Sequence, residues 1–185
     1  MDNENGLVLV NTGKGKGKTT AALGMVLRSL GYGQKVAVIQ FAKGNWHTGE
    51  RYFADILNGC EELSKQLIWY SGAVKKGVWL KDNLQADNEN LAEDVFNIAQ
   101  KIVDTNNDLK LLVLDEFNVA LDGDYLGCDE LISFLEKCKN MGITIVVTGR
   151  NAPAKLITYA DTVTEMVEVK HAYKTGKIAK KGVDF

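Results

Sequence analysis

The stretch of residues 11–20, NTGKGKGKTT, constrains the fold of this chain more than any other. An apolar run at residues 7–10 comes before it, and residues 21–30 follow it with apolar side chains at helical spacing. A strand, a glycine-rich turn and a helix in this order are typical of a phosphate-binding P-loop. Glycines permit the tight turn that points successive N–H groups at anionic oxygens, and the positive end of the following helix adds attraction.

The spelling of this loop departs from the usual G-x-x-x-x-G-K-[ST]. Thr12 stands where the first glycine would fall, and a loop counted from Gly13 is one residue short. The alternative is a surface turn that is merely rich in glycine and lysine, but the flanking strand and helix patterns favour the P-loop. We therefore expect Lys18 to reach phosphate oxygens, the Thr19 hydroxyl to ligate a magnesium ion, and a triphosphate-like ligand to bind. The loop residues predicted to bind it are Gly13, Lys14, Gly15, Lys16, Gly17, Lys18, Thr19 and Thr20.

A second signal is the apolar run at residues 111–114, which ends in Asp115 and Glu116. An apolar strand that ends in two acids is typical of the element that completes a magnesium–nucleotide site in P-loop proteins. In an open α/β sheet ligands collect at the carboxyl ends of the strands, so this pair should face the loop. One acid can then hold the metal while the other positions it. The alternative, an acidic helix cap after a strand, becomes less attractive with the P-loop present.

The alternation of strand-like and helix-like segments predicts an α/β fold, with a mainly parallel central sheet and helices on both faces. The predicted strands are residues 7–10, 36–41, 67–70, 111–114, 143–147 and 162–169. The predicted helices are residues 21–30, a short one to about 57, 88–104 and 128–140. With a length of 185 residues we expect a single domain that spans residues 1–185.

Composition excludes several classes of function. The net charge of −2 gives no reason to expect a nucleic-acid partner. Neither a membrane-spanning run nor a signal peptide is found, so we expect no membrane association. Cys60, Cys128 and Cys138 are odd in number and widely spaced, which fits reduced thiols and a cytoplasmic protein.

Other residues are ambiguous from sequence alone. Arg150 follows the fifth strand and Arg51 follows a glycine-containing loop, so each either contacts a ligand or lies in solvent. Trp79 lies in a long polar connection and either packs back on the domain or stacks on a ligand. The lysine-rich tail is either a solvated segment or a patch for an anionic partner. The residues alone predict a magnesium-dependent, nucleotide-binding enzyme, which could be a kinase, an ATPase or a nucleotidyl or adenosyl transferase.

Over nearly its whole length the sequence resembles the P-loop ATP:corrinoid adenosyltransferases, also called cob(I)yrinic acid a,c-diamide adenosyltransferases. The irregular P-loop spelling is one that this family shares. The motifs that carry the resemblance are TGKGKGKTTAA at residues 12–22, QFAKG at 40–44, GER at 49–51, VLDE at 113–116, TGRNAP at 148–153, AD at 160–161, TEM at 164–166, KH at 170–171 and KGVDF at 181–185.

The resemblance implies a RecA-like P-loop fold, a homodimer and one reaction. Co(I) of a reduced corrinoid attacks the 5′-carbon of ATP, and triphosphate leaves. Lys18, Thr19 and Glu116 would be catalytic, with Thr19 and Glu116 as ligands of Mg²⁺ (or Mn²⁺) and Asp115 in support. The family binds ATP in the reverse sense to ordinary P-loop hydrolases, and no general base is needed because cobalt is the nucleophile. The competing functions are a P-loop small-molecule kinase or ATPase and an ATP-dependent switch protein.

The resemblance also implies partners. The corrinoid would be cobalamin, cobinamide or cobyrinic acid a,c-diamide, in synthesis or salvage of adenosylcobalamin, and a reduced flavoprotein would supply electrons. Arg51 and Arg150 fall on family motifs and are expected to face the ligands. Trp79 matches one of two aromatic residues that displace the lower cobalt ligand, whereas Gly77 stands at the other position. Many relatives carry a further segment before the first strand that closes over the site; residues 1–5 precede Gly6 here.

Overall fold

The computed structural model describes residues 5–41, 48–72 and 85–184, with side chains from residue 89 onward in the last range. In these ranges six strands form one sheet, all parallel, in the order β3-β2-β4-β5-β1-β6. The strands are β1 Val8–Thr12, β2 Lys35–Gln40, β3 Leu67–Ser71, β4 Leu109–Asp115, β5 Thr144–Thr148 and β6 Thr162–Glu165. The helices are α1 Lys18–Gly31, α2 Gly49–Asn58, α3 Gln85–Thr105, α4 Phe117–Asp122, α5 Cys128–Asn140 and α6 Ala154–Tyr159, followed by a 3₁₀ helix at Ala172–Thr175.

The central strands are apolar along their length because both faces of the sheet are covered. In β4, Leu112 and Leu114 pack into the core on one face, whereas Leu111 and Val113 pack into the core on the other. This alternation follows from the two-residue period of a strand. Burial on both faces explains why β4 and β2 are near-continuous hydrophobic runs in the sequence.

Helices cover the two faces of the sheet as separate layers. α1 and α2 contribute to the smaller core, and α3 and α5 contribute to the larger one together with the short helices α4 and α6. Phe96 of α3 meets Phe134 of α5 edge-on, with ring centroids 5.3 Å apart and an interplanar angle of 80°. Aromatic pairs in this geometry add about 0.5–1.5 kcal/mol beyond their buried area. The two longest helices on this face are therefore joined directly as well as through the sheet.

Asp161 ties three elements together at the amino end of the sheet. Its carboxylate accepts the backbone N–H of Val8 at 2.8 Å, where β1 begins. Lys139, near the end of α5, donates to both carboxylate oxygens at 2.7 and 2.9 Å. The hydrogen bond from Lys139 is the larger cause, and the one from the Val8 N–H the smaller, of a pKa of Asp161 below its usual range. This aspartate of the AD motif thus fixes β1 and the chain that enters β6.

The structure confirms the α/β class and all six predicted strands, and α5 has the predicted bounds. The short helices α4 and α6 are not predicted, because six residues complete too few turns for a 3.6-residue period to show. The sixth strand ends at Glu165 instead of residue 169. Beyond it, the carbonyl of Met166 turns to accept the N–H of Gly15, so this segment bonds to the P-loop. None of the helices in the described ranges is long and apolar enough to cross a membrane.

Candidate nucleotide and metal site

The predicted P-loop joins β1 to α1 at the carboxyl edge of the sheet. Gly13 and Gly17 have φ angles of 93° and 113°, in the left-handed region that other residues enter only with strain. A Cβ at Gly13 would also lie 2.6 Å from the carbonyl oxygen of Met166. Gly17 precedes the first residue of α1 and has no side chain to cap it. The first N–H groups of α1 are the ones that P-loops offer to phosphate oxygens.

Lys18 lies at the base of this loop with only 8% of its surface exposed. Its ammonium donates hydrogen bonds of 2.8 Å to the carbonyl oxygens of Gly13 and Gly15. Burial lowers the pKa of Lys18; nearby Glu116 opposes this effect, and Arg150 reinforces it. An ammonium carries three donors, so the contacts with the two carbonyls position it without saturating it.

Asp115, at the end of β4, is fully buried beside the loop. Its Oδ1 accepts hydrogen bonds from the hydroxyls of Thr19 at 2.8 Å and Thr148 at 2.7 Å. Its Oδ2 accepts a hydrogen bond from the side-chain amide of Gln40 at 3.1 Å. A carboxylate with this many donors is held in one orientation. Asp115 therefore links the P-loop helix to strands β2 and β5 and fixes the direction of the Thr19 hydroxyl hydrogen.

Glu116 follows in a left-handed conformation with a φ of 63°. Its backbone N–H donates to the Thr148 hydroxyl at 3.0 Å, which holds the residue in this conformation. Non-glycine residues with positive φ cost free energy and occur often at functional sites. The turn ends β4 at Asp115 and begins α4 at Phe117, so that Glu116 lines the cleft above the loop.

Arg150 enters the same cleft from the end of β5. The preceding Gly149 has a φ of 134°, and a Cβ there would lie 2.8 Å from the Cβ of Asn118. The buried Asn118 donates from its side-chain amide to the Gly149 carbonyl at 3.0 Å. This close contact between α4 and the chain after β5 requires glycine and sets where Arg150 leaves the sheet.

These residues line one cleft with a volume of about 760 Å³. The predicted residues that line it are Lys14, Gly15, Lys16, Gly17, Lys18, Thr19, Thr20, Glu116 and Arg150. Gly49 and Glu50 at the start of α2 line it as well, and Arg51 is the next residue of that helix. Gly13 lines a neighbouring depression that shares Lys14 with this cleft, and Asp115 is fully buried. Trp79 and Gly77 lie outside the described residues.

One wall of the cleft comes from the C-terminal segment, whose role the sequence left open. The residues of this segment that line the cleft include His171, Tyr173, Gly182, Val183 and Asp184. Asp184 forms an ion pair of 2.8 Å with Lys16 of the loop, and this hydrogen bond lowers the pKa of Asp184. The charge pattern of the tail gave no sign of this contact, because the two partners lie at opposite ends of the chain.

The donor set is suited to a hard divalent cation. Thr19 and Glu116 supply oxygen atoms at the cleft, and the Thr19 hydrogen bond to Asp115 leaves the lone pairs of the hydroxyl oxygen for a metal ion. No cluster of three or more histidine, cysteine or acidic side chains with metal-binding geometry occurs in the described part of the chain. A magnesium ion that takes most of its ligands from phosphate and water fits this arrangement.

Comparison with known proteins identifies the family. The family described as "ATP:corrinoid adenosyltransferase BtuR/CobO/CobP" matches residues 4–185. The chain belongs to this family. Its relatives include a corrinoid adenosyltransferase of Pseudomonas aeruginosa, 42% identical over 182 residues, with 98% of this chain and 85% of the relative covered. A corrinoid adenosyltransferase of Escherichia coli K12 is 33% identical over 182 residues and is covered to 87% of its length, again with 98% of this chain.

More distant structures support the fold of this adenosyltransferase family member. A KaiC-like protein from Pyrococcus horikoshii superposes with a TM-score of 0.55 at 20% identity, covering 90% of this chain and 74% of that one. The flagellar accessory protein FlaH from Methanocaldococcus jannaschii superposes with a TM-score of 0.59 at 14% identity, covering 88% and 71%. These likenesses concern the fold alone, and together with the six-stranded parallel sheet they confirm the predicted α/β fold class.

Proposed function

We propose that this protein transfers the 5′-deoxyadenosyl group of ATP to the Co(I) of a corrinoid and releases triphosphate. The observation that carries the proposal is the P-loop with its buried Lys18, beside Asp115 and Glu116, in a chain that matches the adenosyltransferase family from residue 4 to 185. The product would be an adenosylcorrinoid, formed in adenosylcobalamin synthesis or salvage.

The P-loop would hold the triphosphate. Gly13 to Thr20 supply backbone N–H groups, and Lys14, Lys16, Lys18 and Arg150 supply positive charge around the cleft. Because Lys18 is already held by two loop carbonyls, little rearrangement is needed when it meets a phosphate oxygen. Its charge would stabilise the negative charge that develops on the departing triphosphate.

Mg²⁺ (or Mn²⁺) would be held by Thr19 and Glu116, with Asp115 orienting the threonine. When bound, the ion would neutralise phosphate charge. The protein's own contribution would be to hold Thr19 and Glu116 in the same cleft. Asp115 acts from below through its 2.8 Å hydrogen bond with Thr19.

The reaction itself needs no general base. The cobalt(I) lone pair of the reduced substrate forms the cobalt–carbon bond at the 5′-carbon, the carbon–oxygen bond breaks, and its electrons leave with triphosphate. The rate then depends on how well the protein positions the two substrates and stabilises the leaving group. Lys18, Thr19 and Glu116 are the residues that we assign to this work.

Arg51 on the first turn of α2 and Arg150 would face the bound substrates, and Trp79 would pack against the lower face of the corrin. We propose that the protein acts as a cytoplasmic homodimer with one domain per chain, and that a reduced flavoprotein supplies the electron that converts Co(II) to Co(I). Cobalamin, cobinamide and cobyrinic acid a,c-diamide are the candidate corrinoids.

The decisive experiment is anaerobic. The protein is mixed with Mg-ATP and chemically reduced cob(I)alamin, and separately with reduced cobinamide and cobyrinic acid a,c-diamide. Absorbance is followed and the phosphate products are then separated. We expect loss of the Co(I) band, a light-sensitive product and one triphosphate for each cobalt consumed. Unchanged cobalt with all three corrinoids would overturn the proposal, and ADP as the product would indicate a kinase or an ATPase instead.

A further inference from the structure

A chain of side-chain hydrogen bonds runs across the carboxyl edge of the sheet from β3 to β4. The indole N–H of Trp69 donates to the Ser71 hydroxyl oxygen at 3.3 Å. The Ser71 hydroxyl donates to the Gln40 carbonyl Oε1 at 2.8 Å. The Gln40 amide Nε2 donates to Asp115 Oδ2 at 3.1 Å. Gln40 is 1% exposed, so these contacts are its means of satisfying a polar side chain inside the protein.

The strand register brings these residues together. Gln40 pairs with Ser71 of β3 on one side and with Asp115 of β4 on the other. A glutamine amide has an acceptor end and a donor end, and the carboxylate of Asp115 requires a donor. The Ser71 hydroxyl occupies the acceptor end and thereby directs the donor end towards Asp115. A glutamate, a methionine or an alanine at position 40 could not make both contacts.

The other oxygen of Asp115, Oδ1, accepts hydrogen bonds from the hydroxyls of Thr19 and Thr148. Because a carboxylate is planar, the hydrogen bond from Gln40 to Oδ2 helps to fix the direction in which Oδ1 faces Thr19. The Thr19 hydrogen is then committed to Asp115, and its lone pairs remain for a metal ion. We propose that Gln40 is a positioning residue for the magnesium–nucleotide site, acting through Asp115, and that Ser71 holds the Gln40 amide in the required orientation. This inference rests on the Mg-ATP binding of the proposed function, but not on adenosyl transfer.

The test measures ATP affinity with and without Mg²⁺ by calorimetry, on the full-length protein. In the wild type, Mg²⁺ should tighten ATP binding. Gln40→Met should weaken Mg-ATP binding about tenfold while it changes metal-free ATP binding less than about twofold. Ser71→Ala should weaken Mg-ATP binding about threefold, and it should have no further effect when added to Gln40→Met, because it acts through Gln40.

Matched controls separate positioning from general destabilisation. Gln66→Met replaces the glutamine that immediately precedes β3, and Ser133→Ala removes an exposed hydroxyl that bonds within α5. Both should leave the magnesium dependence intact. Ser71 is partly exposed, so Ser71→Ala should fold even if Gln40→Met does not.

Several outcomes would overturn the inference. One is that Gln40→Met weakens ATP binding equally with and without Mg²⁺, and another is that Ser71→Ala leaves Mg-ATP affinity unchanged. The others are additive effects in the double variant and a wild-type ATP affinity that does not depend on Mg²⁺. If instead the proposed function is wrong, the protein should bind ATP with normal magnesium dependence but transfer no adenosyl group.

Discussion

The contact between the P-loop and the chain after β6 predicts an unusual sensitivity at Gly15. A Cβ built on Gly15 would lie 2.6 Å from the carbonyl oxygen of Met166 and 2.8 Å from its carbonyl carbon. The same carbonyl accepts the Gly15 N–H at 2.6 Å. Ordinary contact begins at 3.4 Å, so one of the two backbone segments must move by about 0.8 Å. Neither is a flexible side-chain end that can turn away.

Gly15→Ala should therefore cost free energy in two ways. Overpacking costs about 1–3 kcal/mol, and loss of the hydrogen bond to Met166 costs about 1 kcal/mol more. For a chain of this size each kcal/mol lowers the midpoint of thermal unfolding by about 2–4 °C, which gives a decrease of about 5–15 °C. Because movement of either segment disturbs the contact that positions the phosphate-binding loop, Mg-ATP affinity should fall about tenfold or more.

Gly24→Ala is the matched control. Gly24 lies inside α1 on the exposed side, and a Cβ there would meet nothing within 4 Å. Alanine in a helix interior is more stable than glycine by about 0.5–1 kcal/mol, so this variant should unfold about 1–4 °C higher and bind ATP normally. The test measures the midpoint of thermal unfolding by calorimetry, and the ATP affinity by titration, for both variants. If Gly15→Ala unfolds with the wild type and binds Mg-ATP equally well, the steric argument is wrong.

Three further predictions concern charge and core packing. Asp161→Asn should lower the free energy of unfolding by about 1 kcal/mol at neutral pH, a figure that allows for the partial exposure of the ion pair with Lys139. Because the pKa of Asp161 is depressed in the folded state, this difference from wild type should disappear in denaturant unfolding as the pH falls below the ordinary aspartate pKa of 3.8. A difference that persists at lower pH would contradict the assignment. Burial lowers the pKa of Lys18, so ATP affinity should decline as the pH rises towards the ordinary lysine value of 10.5. In the same pH window the nucleotide-free protein should gain stability, because its folded state holds fewer protons than its unfolded state. Titrations against pH should show that Lys18→Met removes the contribution of Lys18 to both trends. Phe117→Ala should lower the free energy of unfolding by about 3–5 kcal/mol, because this ring is fully buried and its centroid lies 5.3 Å from that of Phe41. A decrease of less than about 1 kcal/mol in denaturant unfolding would refute the prediction.

The sequence predicts most of the fold because the hydrophobic patterns of buried strands and of amphipathic helices are local. Buried parallel strands appear as apolar runs, and α3 and α5 show apolar side chains at helical spacing. The P-loop and Asp115–Glu116 are also local patterns, and the rule that ligands bind at the carboxyl ends of strands is enough to bring them together. Nine of the predicted binding residues line the cleft for this reason.

What the sequence does not predict depends on register and on contacts between distant segments. Gln40 and Thr148 begin two of the family motifs, but the motifs do not indicate what these side chains contact, and in the structure both donate to Asp115. Only the pairing of β2 and β4, and the position of β5 beside them, places these side chains together. The C-terminal wall is similar: the lysines of the tail indicate a charged segment, but nothing local indicates that Asp184 meets Lys16.

The edge strand β6 shows how this site is built by contacts other than core burial. All four of its residues are exposed, so the strand adds little to the hydrophobic core. Its continuation nevertheless supplies the Met166 carbonyl to Gly15, and the chain beyond supplies Asp184 to Lys16. The P-loop is therefore positioned on one side by β1 and β5 and on the other by residues that follow the last strand. Substitution of Asp184 should then act on nucleotide binding more than on folding, because its side chain pairs with Lys16 of the loop and lies outside the hydrophobic core.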